Sequence, residues 1–451
     1  MSEMLDGLAP SRRKWAVLAQ AIVISMAVLD GSIANIALPS IATDLHIAPA
    51  ESIWVVNAYQ VAVMVALLPF ASLGDIIGYR RVYTWGAALF TAASLACALS
   101  RSLEMLTIAR VMQGFGAAGI MSVNTALIRF VYPRAQLGRG MGINSLIVSV
   151  SSAAGPSLAA GILSVAPWPY LFFVNVPLGL IAVAMTRTLP MTPQATHKFD
   201  WRSAAMNAAM FGLLIAGVDG LGHGEKLWLI GAELLGAAVV AVVFVKLQRR
   251  LRVPMLPVEL FAIPAFSLSV ATSVCSFVAS SMAFVAMPFL FEAHGMTTIE
   301  TGLLITPWPV ASAIFGPIAG KLSDQIPASK LGSVGLALFS IGLLSLLLVP
   351  DHAAWANVAW RMALCGAGFA LFQAPNNRLL IASTPRERTG AGSGVLSSAR
   401  LLGQTLGAAM VAVVFGVTAG AGVASGATLA IGIAVGASVV ALGVCLLRLR
   451  V

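Results

Sequence analysis

Charge is what this sequence has least of. Only 10% of its 451 residues are Asp, Glu, Lys or Arg, against about 25% in a soluble domain. Hydrophobic residues make up 59%, and the mean hydropathy is +0.92. That balance excludes a water-soluble globular chain, and with it any counting of domains by length. Cysteine is scarce as well. Cys97, Cys275, Cys365 and Cys445 each lie in an apolar run and none forms a CxxC pair, which points to free thiols packed among helices and away from disulfides or metal ligands. The five histidines, His46, His197, His223, His294 and His352, fall in connectors or near helix ends and build no HExxH. There is no GxxxxGK[ST], so ATP is not expected to drive the protein directly. No nucleophile and base share one depth, as hydrolysis would need. An enzyme, a cofactor and a metal site are therefore not expected.

What the chain does have is apolar runs of spanning length, about 20 residues each. They fall near 15–38, 53–74, 82–99, 104–129, 140–164, 169–188, 203–221, 227–248, 265–291, 301–322, 331–350, 354–381, 391–416 and 424–447. This predicts an all-α polytopic membrane protein of fourteen helices. The connectors are short and rich in Pro, Gly and charge, as in Pro385-Arg386-Glu387-Arg388, and none holds a soluble domain. Residues 1–14 carry charge but no cleavage site before Trp15, so the first helix is expected to be retained and not removed as a signal peptide.

Basic residues set the expected orientation. With the N-terminus in the cytoplasm, 22 of the 27 Lys and Arg fall on the cytoplasmic side, and only Arg101 and Lys226 fall outside. Arg110, Arg361 and Arg400 lie within helices or at their edges. The net charge of +10 is thus a topology signal and no nucleic acid is expected. Both termini are placed in the cytoplasm. Outer loops lean acidic, with Asp44, Glu51, Glu104, Glu225, Glu300 and Asp351, as ordinary solvated loop charge.

A repeat is visible. Ser72-Leu-Gly-Asp75 leads to Arg80-Arg81, and Lys321-Leu-Ser-Asp324 leads to Lys330, at an offset of 249 (324 − 75). Gly114-Phe-Gly116 and Gly366-Ala-Gly368 repeat at 252 (366 − 114). The offset exceeds six helices by about two, which makes 203–221 and 227–248 an inserted hairpin outside the two-bundle core. The expected division is a cytoplasmic N-terminus over 1–14, a first six-helix bundle over 15–188, linker and hairpin over 189–252, a second bundle over 253–448, and a cytoplasmic tail over 449–451. Two parallel repeats place a substrate site between them near the bilayer midplane.

Asp30 lies well inside the first run, where a charged carboxylate costs about 2.5–3.5 kcal/mol on insertion scales. It needs a partner, water or a proton. Arg110, at comparable depth in the fourth run, is the candidate partner. A carboxylate whose surroundings alternate between apolar burial and a nearby cation takes up a proton in one and releases it in the other. The alternative is a static ion pair that braces two helices. Asp219, Glu233 and Glu292 are weaker intramembrane acids, with Glu292 placed to watch the outer mouth.

Several motifs, in order along nearly the whole chain, resemble the major facilitator superfamily and its fourteen-helix drug:proton antiporter branch. They are Leu29-Asp30-Gly-Ser-Ile-Ala-Asn35, Trp54-Val-Val-Asn57-Ala-Tyr59-Gln60, Leu73-Gly74-Asp75-Ile-Ile-Gly78-Tyr-Arg80-Arg81, Arg110-Val-Met-Gln113-Gly114 and Phe172-Phe-Val-Asn175-Val-Pro177. The resemblance implies two six-helix bundles plus an inserted pair, with Asp30 and Arg110 in proton coupling. It also implies a gate at Gly74, Asp75, Gly78, Arg80 and Arg81, and an antiporter motif at Gly155-Pro156. That motif departs from the family pattern, since Ala159-Ala160 stand where glycines are usual. The helix over 391–416 lacks the acids some relatives carry and has Arg400, which argues against polyvalent cations.

Polar residues in hydrocarbon favour the bundle interior. The expected cavity set is Asn35, Asn57, Tyr59, Gln60, Gln113, Asn124, Asn144, Asn175, Gln373, Asn376, Asn377, Arg400 and Gln404. The expected function is drug/proton antiport in a bacterial inner membrane, by a monomer, exporting lipophilic and possibly cationic small molecules. Two alternatives stand beside it: a proton symporter or exporter of an endogenous metabolite, and a non-transporting membrane sensor.

Overall fold

The computed structural model describes residues 7–133, 136–192, 194–195, 198–222, 226–251, 254–256, 258–323, 325–349, 355–382, 389–418, 420 and 422–450. Among them there are helices and no strand, as hydrocarbon requires of a chain that must satisfy every backbone group within its own segment. The first half comprises α1 (Pro10–Asp44), α2 (Pro49–Ser52), α3 (Trp54–Ile77), α4 (Tyr79–Ala98), α5 (Leu103–Val131), α6 (Leu137–Leu163), α7 (Pro169–Phe173) and α8 (Asn175–Met185). Then come α9 (Trp201–Gly222) and α10 (Leu227–Gln248). The second half comprises α11 (Pro264–Ala293), α12 (Thr298–Ile305), α13 (Pro307–Leu322), α14 (Ala328–Leu347), α15 (Trp355–Ala382), α16 (Thr389–Val417) and α17 (Val423–Leu447).

Each expected span is occupied by a helix, and local chemistry sets the ends. Ser102 opens α5 by accepting from the Met105 N–H at 3.3 Å. Thr297 and Glu300 form a reciprocal cap at the start of α12, with the Thr297 N–H donating to Glu300 Oε2 at 2.8 Å, which satisfies donors the first turn leaves free. Two spans are broken. The span near 301–322 divides at Thr306, before Pro307 and Pro309, because proline lacks an N–H and crowds the preceding turn. The span near 169–188 divides at Val174, just before Asn175-Val-Pro177. Eleven helical stretches among the described residues are long and apolar enough to cross a membrane. α4, α9 and α15, at 20, 22 and 28 residues, occupy the other three expected positions.

The repeat is expressed in packing. α4 lies on α5 as α14 lies on α15, α3 on α5 as α13 on α15, and α1 on α6 as α11 on α16. Close approach fixes the register through matched glycines. A Cβ on Gly86 would stand 2.8 Å from the Gly116 carbonyl oxygen, and one on Gly335 would stand 2.8 Å from that of Gly368. Gly114 abuts the Tyr59 carbonyl as Gly366 abuts that of Trp308, and Gly155 abuts Ser32 as Gly407 abuts Ser281. The offsets are 249 for α1, α3 and α4 (339 − 90 for Phe90 and Phe339, for example) and 252 for α5 and α6. Small residues let the helix backbones meet where lipid supplies no hydrophobic drive.

The halves meet along the α3–α16 seam and at the end where α1 turns into α2 and α11 into α12, the far end; the opposite, terminal end carries the start of α1 and the end of α17. Ile33–Ile41 of α1 share one apolar cluster with Phe277–Phe291 of α11. Ser157 and Thr306 hydroxyls pair at 2.8 Å between α6 and the α12–α13 junction. The hairpin corrects one expectation. α9 does not lie apart from the core: it packs on both α3 and α16, and Asn207 Nδ2 donates to the Val65 carbonyl at 2.8 Å. Only α10 lies outside, against α9.

Candidate functional site

Asp30 is 2% exposed and Arg110 0%, and the two form the only ion pair among the described residues. Six helices, α1, α3, α4, α5, α7 and α8, contribute to the cluster around them. Arg110 and Gln113, three residues apart, share a face of α5. Arg110 Nη1 donates to Asp30 Oδ2 and, at 2.6 Å, to Gln113 Oε1. Gln113 Nε2 donates to Asp30 Oδ1 at 2.7 Å and to Ser94 Oγ of α4 at 2.9 Å. Asn175 Nδ2, at the start of α8, donates to the same Asp30 oxygen at 3.3 Å. Arg110 Nε donates to the Val55 carbonyl of α3 at 2.8 Å. The guanidinium lies 4.3 Å from the Tyr59 ring centre and 5.5 Å from that of Phe172, inside cation–π range. Arg110 Nη2 is buried with no partner.

This is a charged pair lifted out of water and held by neutral amides. Such burial is costly unless the geometry compensates, and here both carboxylate oxygens are engaged. Neutralising Asp30 would remove the counter-ion and leave Arg110 with Gln113, the Val55 carbonyl and two aromatic faces. Protonation therefore acts on contacts among α1, α3, α5 and α8 at once. Ser94 belongs to the cluster although no signal in the sequence marked it, since a lone serine in a helix has no local signature, and Phe172 was marked only as the start of a motif, not as a partner of Arg110. Only the register of α4 and α7 brings them in.

The cavity set divides. Asn57, Gln113, Asn124, Asn175 and Asn376 are buried, each at 5% exposure or less, and all but Asn57 hydrogen-bond within their own bundle. Asn124 donates to Asn144 Oδ1 at 2.8 Å, bracing α5 on α6. Asn376 Nδ2 donates to Ser273 Oγ at 2.8 Å, and its Oδ1 accepts from Arg448. Arg448, read from sequence as terminal-side topology charge, is in fact 5% exposed and also donates to Ser269 Oγ at 3.0 Å. It ties the end of α17 to α11 and α15. Tyr59 is buried, its hydroxyl donating to the Ala27 carbonyl at 3.3 Å. Asn35, Gln60, Gln373, Asn377, Arg400 and Gln404 are half-buried.

The gate residues sit at the α3–α4 turn. Gly78 has φ +96°, a conformation that only glycine adopts freely, and a Cβ on Gly74 would come within 2.7 Å of Val123 Cγ1. Asp75 does not pair with Arg80 or Arg81. Its Oδ1 accepts from the Tyr79 hydroxyl at 2.5 Å, and Arg81 reaches back to the Ile77 carbonyl at 3.4 Å. The reason is the turn at Gly78, which folds the Tyr79 ring back against Gly74 and brings its hydroxyl to Asp75. The later connector covers this turn, with the Ala195 N–H donating to the Asp75 carbonyl at 2.7 Å and the Tyr79 N–H donating to Thr192 Oγ1 at 2.9 Å. The second copy's Asp324 lies outside the described residues, as does the side chain of Asp219.

Gly155 and Pro156 stand where α6 touches both α1 and α12, for a Cβ on Gly302 would come 2.8 Å from the Pro156 carbonyl oxygen. Glu292 accepts from the Thr298 hydroxyl at 3.4 Å and lines a far-end cavity of about 300 Å³ with Pro39, Thr43 and Pro49. Glu233, on α10, has a buried Oε2 without a partner.

Known proteins resemble this chain in sequence and in fold. The family profile of the Major Facilitator Superfamily matches residues 21–408 and 269–451. The uncharacterized transporter YebQ of Escherichia coli K12 is 56% identical over 91% of this chain and 90% of its own. Multidrug resistance protein Stp of Mycobacterium tuberculosis H37Rv is 32% identical over 88% and 75%. Riboflavin transporter RibZ of Clostridioides difficile is 28% identical over 90% and 89%. Among solved structures, an inward-facing bacterial homolog of the human lysosomal transporter Spinster superposes with a TM-score of 0.70 at 17% identity, covering 98% of both chains. A D-xylose–proton symporter superposes with a TM-score of 0.69 at 16% identity, over 95% of this chain and 96% of that one. These two speak to fold alone. The relatives and the family profile carry the identity: the chain is a multi-pass membrane transporter and belongs to the Major Facilitator Superfamily.

Proposed function

We propose that this transporter is a proton-coupled exporter of lipophilic small molecules, with fourteen membrane-crossing helices and both termini in the cytoplasm of a bacterial inner membrane. It works as a monomer of two six-helix bundles, over 15–188 and 253–448, around the linker and hairpin of 189–252. The observation that carries the reading is the Asp30–Arg110 pair, sealed inside the first half with Gln113 and Asn175 on the carboxylate. A buried carboxylate with one counter-ion is the simplest device by which a membrane protein registers a proton. With Asp30 ionised, Arg110 locks α5 to α1. With Asp30 protonated, that lock is lost and the rocking of one bundle against the other is rebalanced. A ligand or proton shifts such an equilibrium only by its differential affinity for the two states. Gly155 and Pro156, wedged between α1 and α12, are the pivot, and Asp75 at the terminal end is the latch for the opposite state. The multidrug resistance relatives support export as the direction.

The experiment is exchange in proteoliposomes. An inward proton gradient drives drug uphill out of the compartment facing the termini in the parent protein, and Asp30→Asn abolishes the uphill component while facilitated exchange of labelled drug persists. Drug moving with the proton would make it a symporter, and no movement of any substrate would leave a sensor.

A further inference from the structure

Asp30 consumes the counter-charge of the first half, and between the halves the described residues leave one cation with none. Arg400, on α16, is half-buried, forms no ion pair among the described residues, and has a buried Nε without a hydrogen-bond partner. Its neighbours on α16 fix the direction in which it points. Gly403 and Gly407 face α11, their missing Cβ atoms each 2.6 Å from a carbonyl oxygen, those of Val274 and Val278. Leu401 packs into the apolar cluster of the first half, and Gly394 faces Leu68 of α3. Arg400 stands between these, at Tyr59, an electrostatic neighbour it shares with Arg110.

No carboxylate among the described residues offsets it. Asp30 is spent on Arg110, Gln113 and Asn175. Glu292 lines the far-end cavity, and Glu233 lies on α10 in the hairpin. A charge held away from water needs a partner. A guanidinium offers a planar fork of donors that a carboxylate or sulfonate matches two at a time. A lipophilic cation arriving there meets repulsion that low dielectric amplifies. We infer that the site between the halves takes lipophilic substrates bearing an anionic group on an apolar body, with Arg400 as the anchor, in preference to lipophilic cations. This rests on the export reading above and narrows it to anionic members of the lipophilic class.

The test uses two probes with one skeleton, 8-anilino-1-naphthalenesulfonate and the neutral N-phenyl-1-naphthylamine, with ethidium as the cation. Binding to the full chain in lipid nanodiscs is measured without a pH gradient, and empty nanodiscs are subtracted. The parent protein holds the sulfonate more tightly than either other probe. Arg400→Gln weakens the sulfonate about tenfold, the scale of one charge-assisted hydrogen bond, and leaves the neutral probe within about twofold. Arg400→Lys keeps the order of the probes. Tighter binding of ethidium by the parent protein overturns the inference. So does an Arg400→Gln variant that weakens both naphthyl probes alike or neither, which would make Arg400 a packing brace against Tyr59. Because no gradient is applied, a chain that binds the sulfonate as expected yet moves nothing sinks the export reading alone.

Discussion

Carry the offsets of 249 and 252 from the first half into the second, and the glycines coincide while the buried charges do not. Gly86, Gly114 and Gly116 have partners at Gly335, Gly366 and Gly368, each against the equivalent neighbour. At the positions of Asp30, Ser94, Arg110 and Gln113 the second half has Ala279, Leu343, Met362 and Cys365, all fully buried. One backbone geometry therefore encloses a hydrogen-bonded ion pair on one side and close-packed apolar groups on the other. The polar cluster is not what the architecture needs to stand, because the second half stands without it. Its cost is borne in one half only, which is the pattern expected of a functional group and not of a structural one.

The sharpest way to break that comparison is to write the second half's residues into the first. Arg110→Met alone strands Asp30 as a buried charge, and breaking a buried pair costs about 3–5 kcal/mol. Adding Asp30→Ala removes that stranded charge, and replacing both members of a buried ion pair by apolar residues is often neutral or stabilising. The double variant is therefore expected to recover most of the thermal stability that the single variant loses, in a cycle read by unfolding in detergent, while proton-driven transport stays absent in both. A single Arg110→Met variant as stable as the parent would mean that Asp30 holds no charge to strand.

A smaller effect tests the likeness. Gly86→Ala and Gly335→Ala each bring a methyl to 2.8 Å from a helix carbonyl oxygen, and overpacking of this kind costs about 1–3 kcal/mol. The two losses are expected to agree within about 0.5 kcal/mol, since they are distant sites with matched surroundings. Unequal losses would show that the glycine registers are similar in shape only.

The sequence made the helices and the central pair readable because both signals are local. Apolar runs of fixed length mark spans, and an Asp and an Arg are conspicuous in runs such as Ala27–Ile33 and Leu106–Val111. The 249 and 252 offsets were legible as well, since small residues recur at helix contacts. What escaped was partner choice across helices. Asn376 reads as a cavity amide until α17 delivers Arg448 to it. Asn57 is fully buried with no hydrogen-bond partner for its amide. The place of α9 across α3 and α16 was equally hidden, because nothing in a 22-residue helix states which seam it covers.

The smallest effect lies at the terminal end, where the arginines of the first half's loop flank an aspartate that they do not bind. The Tyr79 hydroxyl holds Asp75 at 2.5 Å while the far end is joined. If that contact keeps the latch disengaged, Tyr79→Phe removes about 1 kcal/mol, the ordinary net worth of one hydrogen bond, and frees Asp75 to pair with a cation. A change of that size shifts a two-state balance roughly fivefold, toward the state closed at the terminal end. Asp75→Asn would keep a weaker bond to Tyr79 and lose the charge that the latch needs, so its shift runs the other way. Spin-label distances between the terminal ends of α4 and α14 read both, and equal distance distributions in the two variants would reduce Asp75 to a turn residue, leaving the halves' difference entirely to Asp30 and Arg110.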